Sequence, residues 1–371
     1  MRGMELAPFR IEQWYDRYEF TTELMLSSSD CETVSVADLL ALEPDARERL
    51  EALRLGYTEV PGSPELRDAI AGLYDVAGPD DVVALAAAEE GIFAVEHAVL
   101  RPGDHAVVET PCYESALALA RATGAEVDQW RRSYADGWAH DVAALERLLR
   151  PETRLVYVNT PHNPTGTQMP RAVLDRVVEL CAERGAALLC DEVYRELEHD
   201  PADRLPAACD LYERAVSLGT VSKTYGLPGL RTGWIACRDA ALRRAIVAVK
   251  LYTTICSSAP SELLAALALR HRERLAERNR QIVLDNLGRA DAFVAAHAGL
   301  VEWVRPSASP IGFPRLHVAD TQAFCERLAG EAGVLLLPGE VYDEPGHVRF
   351  GLGRLRAAEA FARLSDFVGR L

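Results

Sequence analysis

The middle of the chain alternates short apolar runs with amphipathic stretches, and this alternation limits the possible folds more than any other feature. Seven runs of four to six residues have the length of buried strands, namely 82–86, 105–109, 126–130, 154–159, 187–190, 215–218 and 233–236. Helical patterns lie between several of them, for example at 143–149 and 172–183. Short strands that alternate with helices favour a parallel sheet covered on both faces. We therefore predict an α/β fold whose large domain has a mainly parallel, seven-stranded sheet.

The pattern changes near residue 270, where a long polar helix precedes strands near 312–317 and 347–351, with helices between and after them. This succession is typical of a smaller α+β domain. A chain of 371 residues is also long enough for two lobes. The predicted boundaries are 31–268 for the large domain and 269–371 for the small one.

Charge and cysteine content restrict the partners and the compartment. The formal net charge is −16, which disfavours nucleic acid and anionic membranes because phosphate binding needs clustered Lys and Arg. The first residues lack the apolar core of a signal peptide, and no run approaches the roughly 18 apolar residues of a membrane helix. The eight cysteines form no Cys-x-x-Cys pair, so we expect buried free thiols, no metal site and a cytoplasmic location.

The segment 217–234, Ser-Leu-Gly-Thr-Val-Ser-Lys-Thr-Tyr-Gly-Leu-Pro-Gly-Leu-Arg-Thr-Gly-Trp, carries the clearest chemical signal. Its lysine, Lys223, stands among hydroxyl residues, with Arg231 eight positions further on. A lysine amine can form a Schiff base with an aldehyde, while hydroxyls and a guanidinium can bind a phosphate dianion nearby. The segment therefore indicates a lysine that binds a phosphorylated aldehyde.

Two further motifs precede this segment, Asn-Thr-Pro-His-Asn-Pro-Thr-Gly at 159–166 and Asp-Glu-Val-Tyr at 191–194. Asn163, Asp191 and Lys223 each follow a predicted strand, and sites in parallel sheets gather at the carboxyl ends of the strands. In this order they resemble the pyridoxal 5'-phosphate (PLP) site of class I/II aminotransferases. The resemblance runs from about Phe9 to the C-terminus. It implies the aspartate aminotransferase-like fold, fold type I, in which the first 30 residues join the small domain.

The resemblance assigns a role to each motif residue around the cofactor ring. Lys223 is expected to bind PLP and then to act as the base at the substrate Cα, and Asp191 to pair with the pyridine nitrogen. Tyr194 and Asn163 would contact the O3′ atom, and Tyr113 would stack on the ring. Two alternatives are open from the residues alone: Asp191 as a helix cap and Tyr113 as an ordinary core aromatic.

The phosphate needs several donors. The resemblance implies Thr220, Ser222 and Arg231, together with the free backbone amides of Ala88 and Glu89 where a helix follows a strand. It also implies Tyr57 of a neighbouring subunit, and therefore a homodimer with shared active sites.

The substrate side of the site is expected to bind a small α-amino acid. Arg349 matches the arginine that binds the α-carboxylate, with Asn163 beside it. Glu12 and Asp30 would suit a guanidinium side chain through charge-assisted hydrogen bonds. Ser28, in the loop 26–30 that resembles a part of the family closing over the substrate, is also expected to bind it. The alternatives are that Glu12 is a solvated helix residue and that Asp30 caps a helix at 36–42.

Two enzymatic functions are compatible with these residues. The favoured one is a cyclase or dehydratase of a hydroxylated arginine derivative, since the chain also resembles capreomycidine synthase and related cyclases of secondary metabolism. The alternative is an aminotransferase that exchanges an amino group between an amino acid and a 2-oxo acid. A PLP-sensing regulator is disfavoured by the net charge and by the lack of a DNA-binding segment before the first motif.

Overall fold

The computed structural model describes residues 6–370; residues 1–5 of the predicted N-terminal segment and Leu371 of the predicted small domain lie outside the described residues. The strands are β1 (Leu24–Met25), β2 (Val82–Leu85), β3 (His105–Thr110), β4 (Glu126–Arg131), β5 (Thr153–Asn159), β6 (Ala187–Asp191), β7 (Ala215–Thr220), β8 (Gly233–Ala236), β9 (Val301–Glu302), β10 (Ile311–Gly312), β11 (Arg315–Leu316), β12 (Val334–Leu335), β13 (Leu337–Pro338) and β14 (Val348–Gly351).

Helices separate most of these strands. They are α1 (Arg10–Tyr18), α2 (Val36–Leu40), α3 (Ala46–Ala52), α4 (Pro64–Ala71), α5 (Ala87–Val99), α6 (Glu114–Ala122), α7 (Val142–Leu148), α8 (Arg171–Arg184), α9 (Ala208–Leu211), α10 (Ala240–Lys250), α11 (Ala259–Arg270), α12 (Arg272–Ala296), α13 (Thr321–Ala332) and α14 (Ala357–Val368). Short 3-10 helices cover Pro79–Asp81, Pro201–Asp203, Pro228–Leu230 and Gly339–Tyr342.

The prediction of a mainly parallel seven-stranded sheet is confirmed. Its spatial order is β2-β8-β7-β6-β5-β3-β4, and β8 alone runs antiparallel to its neighbours. Every residue of β2, β3, β6, β7 and β8 is buried. Strands buried on both faces are what a parallel sheet covered by helices requires. This burial explains why these segments are continuous apolar runs rather than alternating ones.

The register of the sheet brings the sequence motifs together. Asn159 at the end of β5 pairs with Asp191 at the end of β6, and Asp191 in turn pairs with Leu218 of β7. Lys223 is the third residue after Thr220, where β7 ends. The three motifs therefore meet at one edge of the sheet, as expected for parallel strands.

A separate apolar core joins the first segment of the chain to the last. Ile11 and Trp14 of α1 belong to the same buried cluster as Phe293, Phe350 and Phe361. Short strand pairs connect the same regions, because β1 pairs with β12 in parallel. This packing supports the proposal that the N-terminal segment 1–30 and residues 269–371 form a small domain beside the large domain 31–268.

The described residues also bear on membrane and metal binding. Between residues 6 and 370 no helix combines the length and apolar character needed to cross a bilayer. The same residues contain no group of three or more His, Cys, Asp or Glu side chains placed to hold a metal ion. All eight cysteines are free thiols, and seven of them are buried.

Candidate active site

A cavity of about 540 Å³ opens at the carboxyl edge of the central sheet, bounded by α1 on the opposite side. Its volume lies in the range of cofactor and small-ligand sites. Fourteen of the fifteen predicted site residues line it: Glu12, Ser28, Asp30, Ala88, Glu89, Tyr113, Asn163, Asp191, Tyr194, Thr220, Ser222, Lys223, Arg231 and Arg349. Tyr57 lies elsewhere and is 94% exposed.

Lys223 extends into this cavity from the turn after β7. Its Nζ donates a hydrogen bond to Ser29 Oγ at 3.0 Å. Burial lowers the pKa of the Lys223 amine, and the nearby Arg349 charge lowers it further, against the opposing effect of Asp30. A lowered pKa increases the neutral fraction of the amine, which is the form that attacks an aldehyde. Sequence reasoning missed Ser29, whose hydroxyl is the only side-chain partner of Nζ among the described residues.

Asp191 is the last residue of β6, and its carboxylate faces the cavity. Its Oδ1 accepts from the Val193 backbone N–H at 3.2 Å, and its Oδ2 accepts from the Tyr157 hydroxyl at 3.0 Å. Burial raises the pKa of Asp191 to about 6, although both hydrogen bonds act to lower it. The chain continues from Asp191 into a turn, so the alternative of a helix cap is wrong. Tyr157, on the buried strand β5, carries no motif that would have identified it.

Donors for an anion converge at the start of α5. Helix α5 begins at Ala87 with no side-chain cap, so its first backbone N–H groups have no partner from a capping residue. A Cβ at Gly233 would lie 2.6 Å from the Ala87 carbonyl carbon, which shows how closely β8 approaches this helix terminus. The Thr220 hydroxyl lies 3.0 Å from Ser222 Oγ. Arg231 completes this end of the cavity.

Arg349 also lines the cavity and is only 1% exposed. Its guanidinium donates to the Ser27 carbonyl at 3.0 Å, to Asn163 Oδ1 at 3.2 Å, and to the hydroxyls of Tyr342 at 2.5 Å and Tyr15 at 2.6 Å. All these partners are neutral. A buried cation needs an anionic partner to offset its desolvation, so this geometry is suited to a bound carboxylate. Tyr15 and Tyr342 were not identified from the sequence.

The mouth of the cavity is acidic. Glu12 Oε1 accepts from the Tyr113 hydroxyl at 2.5 Å, and Asp30 Oδ1 accepts from Arg354 Nη2 at 2.7 Å. Glu19, which sequence reasoning missed, also lines the cavity. Burial raises the pKa of Glu19, and the charges of Asp30 and Glu12 raise it further. Arg354 therefore neutralises one of three carboxylates, and neither Glu12 nor Glu19 forms a salt bridge with any residue between 6 and 370.

The sequence left two alternatives open, that Asp30 caps a helix and that Glu12 is a solvated helix residue, and the structure treats them differently. Helix α2 is capped by Ser35, which accepts from the Asp38 N–H at 3.1 Å, so the alternative of Asp30 as the cap is wrong. Glu12 is solvent-exposed on α1, yet it also lines the cavity and contacts Tyr113.

Glu89 is a carboxylate at the phosphate end of the cavity. Burial raises its pKa to about 7, and Ser115 Oγ donates to its Oε2 at 2.9 Å. Near neutral pH this side chain is therefore partly uncharged, which reduces its repulsion of a bound anion.

The donor set fits PLP. Thr220, Ser222 and the start of α5 offer hydrogen-bond donors to a phosphate, Asp191 offers a buried carboxylate to a pyridinium, and Lys223 offers an amine to an aldehyde. Arg349 stands apart from these groups with neutral partners only, as an α-carboxylate site would. Fold and cavity together define a PLP-dependent enzyme of fold type I.

Comparisons with known proteins identify the family. The family model for aminotransferase class I and II matches residues 22–360, and the chain belongs to this family. Capreomycidine synthase of Streptomyces vinaceus is 32% identical over 374 residues, which cover 99% of this chain and 95% of that protein. Arginine–pyruvate transaminase AruH of Pseudomonas aeruginosa is 29% identical, with 89% and 85% covered.

A solved structure shows the same architecture. The PLP-dependent cyclase OrfR superposes with a TM-score of 0.89 at 30% identity, and the match covers 100% of this chain and 99% of that one. The expected fold, the PLP dependence and the enzymatic nature of the protein are thereby confirmed.

Proposed function

We propose that the protein is a cyclase or dehydratase of a hydroxylated arginine derivative. The observation that carries this proposal is the polarity of the cavity, which has a buried guanidinium at Arg349 and uncompensated carboxylates at Glu12 and Glu19. An α-amino acid with a cationic side chain matches both ends. The similarity to capreomycidine synthase and to the cyclase OrfR supports the same substrate class.

Different residues of the chain would bind the phosphate, the ring and the reacting amino acid. Thr220, Ser222, Arg231 and the amides of Ala88 and Glu89 would hold the phosphate of PLP. Asp191 would pair with the pyridine nitrogen, and Tyr194 and Asn163 would contact O3′ while the Tyr113 ring covers one face. When bound, PLP supplies an electron sink that makes the substrate Cα–H bond acidic.

Lys223 would then remove the proton from Cα, because its amine lies in the same cavity and burial lowers the pKa of that amine. Arg349 and Asn163 would hold the α-carboxylate, with Ser28 beside them. The net reaction breaks the bond between Cβ and its hydroxyl and one guanidine N–H bond, and forms a bond between Cβ and that nitrogen, while a proton returns to Cα. One water leaves, and no oxidant or reductant is consumed. Glu12 and Glu19 would orient the guanidine toward Cβ, while Asp30 is already paired with Arg354.

An aminotransferase is the second candidate function. The family name and the similarity to arginine–pyruvate transaminase favour it, since that protein also acts on arginine. The cofactor residues serve both reactions equally. A cationic substrate therefore does not by itself distinguish cyclisation from transamination.

Product analysis tests the proposal directly. The holoenzyme is incubated with a hydroxylated arginine, and the products are analysed by mass spectrometry. The proposed function requires a product lighter by one water and no keto acid, and Lys223→Ala must abolish its formation. Rapid exchange of amino groups between glutamate and 2-oxoglutarate, with no dehydrated product, would instead establish the aminotransferase.

We also propose a cytoplasmic homodimer with shared active sites. Tyr57 is 94% exposed, and Leu55 and Tyr252, both large apolar residues, are 82% and 95% exposed. The two segments are adjacent, because Thr58 Oγ1 donates to the Ser257 carbonyl at 3.1 Å. Apolar side chains clustered on a surface are typical of protein interfaces. Burial by a second copy would account for their exposure in one protomer and would bring Tyr57 to the partner's site.

A further inference from the structure

An ion pair is buried beneath the active site, outside the cavity. Glu109, at the end of β3, accepts from Arg132 Nη1 at 3.0 Å, and their side chains are 0% and 1% exposed. His140 Nε2 lies 2.8 Å from the same Oε1 atom of Glu109. Neither Glu109 nor Arg132 lines the cavity. A buried ion pair is costly to desolvate and is often no more stabilising than apolar residues, so its position needs an explanation.

The pair binds both ends of one loop, residues 159–167. Glu109 Oε2 accepts from the Asn159 backbone N–H at 2.9 Å, where the loop begins. Arg132 Nη2 donates to Thr167 Oγ1 at 2.6 Å, where the loop ends. Arg132 also donates to the Trp138 carbonyl, which fixes the plane of its guanidinium. Both ends of the loop are therefore held by one ion pair.

The loop carries Asn163 into the cavity. The Asn163 N–H donates to Asn159 Oδ1 at 2.7 Å, and Asn159 Nδ2 donates to the Asp191 carbonyl at 2.8 Å. At its other end Asn163 accepts from Arg349 Nη1 at 3.2 Å. A continuous series of hydrogen bonds thus leads from Glu109 to the guanidinium that faces the substrate.

We propose that Glu109 and Arg132 are positioning residues that hold Asn163, and through it Arg349, in the orientation that binds the substrate α-carboxylate. This inference rests on the carboxylate-binding role proposed above for Arg349. Two charged groups locked by several hydrogen bonds fix a loop more rigidly than apolar packing does, because each bond restricts direction as well as distance. A displaced Asn163 would remove one of the four hydrogen bonds that orient the Arg349 guanidinium and would let it shift relative to the carboxylate.

The test uses the PLP-loaded enzyme and measures binding without turnover. Thr167→Val removes the contact between the loop and Arg132 but keeps the Glu109–Arg132 pair intact. Glu109→Gln removes the charge with little change in size. Glu96→Gln is the matched control, because Glu96 is also a fully buried glutamate, does not line the cavity and has no hydrogen bond from its carboxyl group to any described residue. Dissociation constants for L-arginine and, in parallel, L-glutamate are read from the cofactor absorbance, with melting temperatures alongside.

The expected result is binding weaker by about tenfold for either amino acid in both test variants, as for a weakened hydrogen bond to a charged group, and unchanged in the control. Thr167→Val should melt close to the wild type. Unchanged affinities in both test variants, whatever their melting temperatures, would overturn the inference and leave the pair a stabilising element only. The loss of affinity concerns the α-carboxylate, which all amino acids share, so it can be measured even if the enzyme does not cyclise hydroxylated arginine. Failure of the proposed function would appear only in the product analysis, and the two failures can therefore be distinguished.

Discussion

At the scale of single residues, the pKa of the Asp191 carboxyl depends on the Tyr157 hydroxyl, which lies 34 positions away in sequence. Burial raises the pKa of the Asp191 carboxyl to about 6, while the bonds from Val193 N–H and Tyr157 act to lower it. Without these donors the carboxylate would be protonated over a wider range of pH. A protonated Asp191 has no charge to offer a pyridinium, so the hydroxyl of Tyr157 helps to keep the site competent near neutral pH.

We expect the affinity of the apoprotein for PLP to depend on pH through Asp191. Only the ionised carboxylate pairs with a pyridinium, so affinity should be high above pH 6 and fall by about tenfold per unit below it. Tyr157→Phe should move this midpoint to higher pH, since the lost hydrogen bond was lowering the pKa. Fluorescence titrations of apoprotein with PLP from pH 5 to 8 measure both effects.

Asp191→Asn is the control for this titration, because the amide has no proton to gain over the same range. A midpoint that persists unchanged in Asp191→Asn would assign the pH dependence to another group.

We predict that Glu12 and Glu19 give the site its preference for amino acids with a cationic side chain. Removing either charge with Glu12→Gln or Glu19→Gln should weaken the binding of L-arginine by about tenfold, as for loss of a charge-assisted hydrogen bond. The binding of L-norleucine, which lacks the cationic group, should be unchanged or improved. Absorbance titrations of the holoenzyme with both amino acids test this difference. Equal losses for the two ligands would contradict a role in side-chain recognition.

At the scale of elements, helix α1 bounds the cavity on the side opposite the central sheet, and Glu114 of α6 forms hydrogen bonds with its first turn. Glu114 Oε1 accepts from Arg10 Nε at 2.7 Å, and its Oε2 accepts from the Ile11 N–H at 2.8 Å. The carboxylate thus satisfies a backbone donor in the first turn of α1, where negative charge is also favoured by the helix dipole. The inner face of α1 brings Glu12 and Tyr15 to the cavity.

Glu114→Ala should therefore loosen α1 and weaken amino acid binding by several-fold to about tenfold, since one charge-assisted contact and one backbone bond are lost. PLP affinity should change little, because the predicted phosphate donors belong to other elements. Glu146→Ala, which removes a surface ion pair with Arg176, is the matched control. Isothermal titration with L-arginine and with PLP separates the two effects, and an equal loss for both ligands would argue against a local role of α1.

At the scale of the whole molecule, the cavity described in one protomer lacks one expected residue. Tyr57 is exposed and lies outside the cavity, while the other fourteen predicted residues line it. The proposed dimer would supply this tyrosine from the second copy. The active site would then be a property of the assembly rather than of the single chain.

Mixed dimers test this arrangement. Lys223→Ala and Tyr57→Ala homodimers should each be inactive at limiting PLP, the first without its amine and the second with weakened phosphate binding. A mixed dimer would contain one complete site, because the Tyr57→Ala subunit keeps Lys223 and receives the partner's Tyr57. Unfolding and refolding the two variants together should restore about a quarter of the wild-type activity by random pairing. A mixture no more active than its separate components would contradict shared sites.

The sequence by itself was sufficient to predict the central sheet and fourteen of the residues that line the cavity. All seven predicted strands are present, with ends shifted by two residues or fewer. Motif spacing identified Asp191 and Lys223 because their chemistry demands particular residue types just after particular strands. Apolar runs and chemically constrained motifs leave a local signal, which is why both could be predicted.

Only the tertiary structure shows which neutral and charged groups form hydrogen bonds with the residues that line the cavity. Tyr157, Tyr342 and Glu109 are ordinary core residues in sequence, and they contact Asp191, Asn163 and Asn159, which lie 34, 179 and 50 positions away. The pairing of Asp30 with Arg354 likewise joins residues 324 positions apart. Hydrogen bonds between distant segments depend on how strands and loops are brought together, and no local pattern encodes them. The residues expected to contact the cofactor can therefore be predicted from the sequence. The hydrogen bonds that orient those residues and shift their pKa values are known only from the tertiary structure.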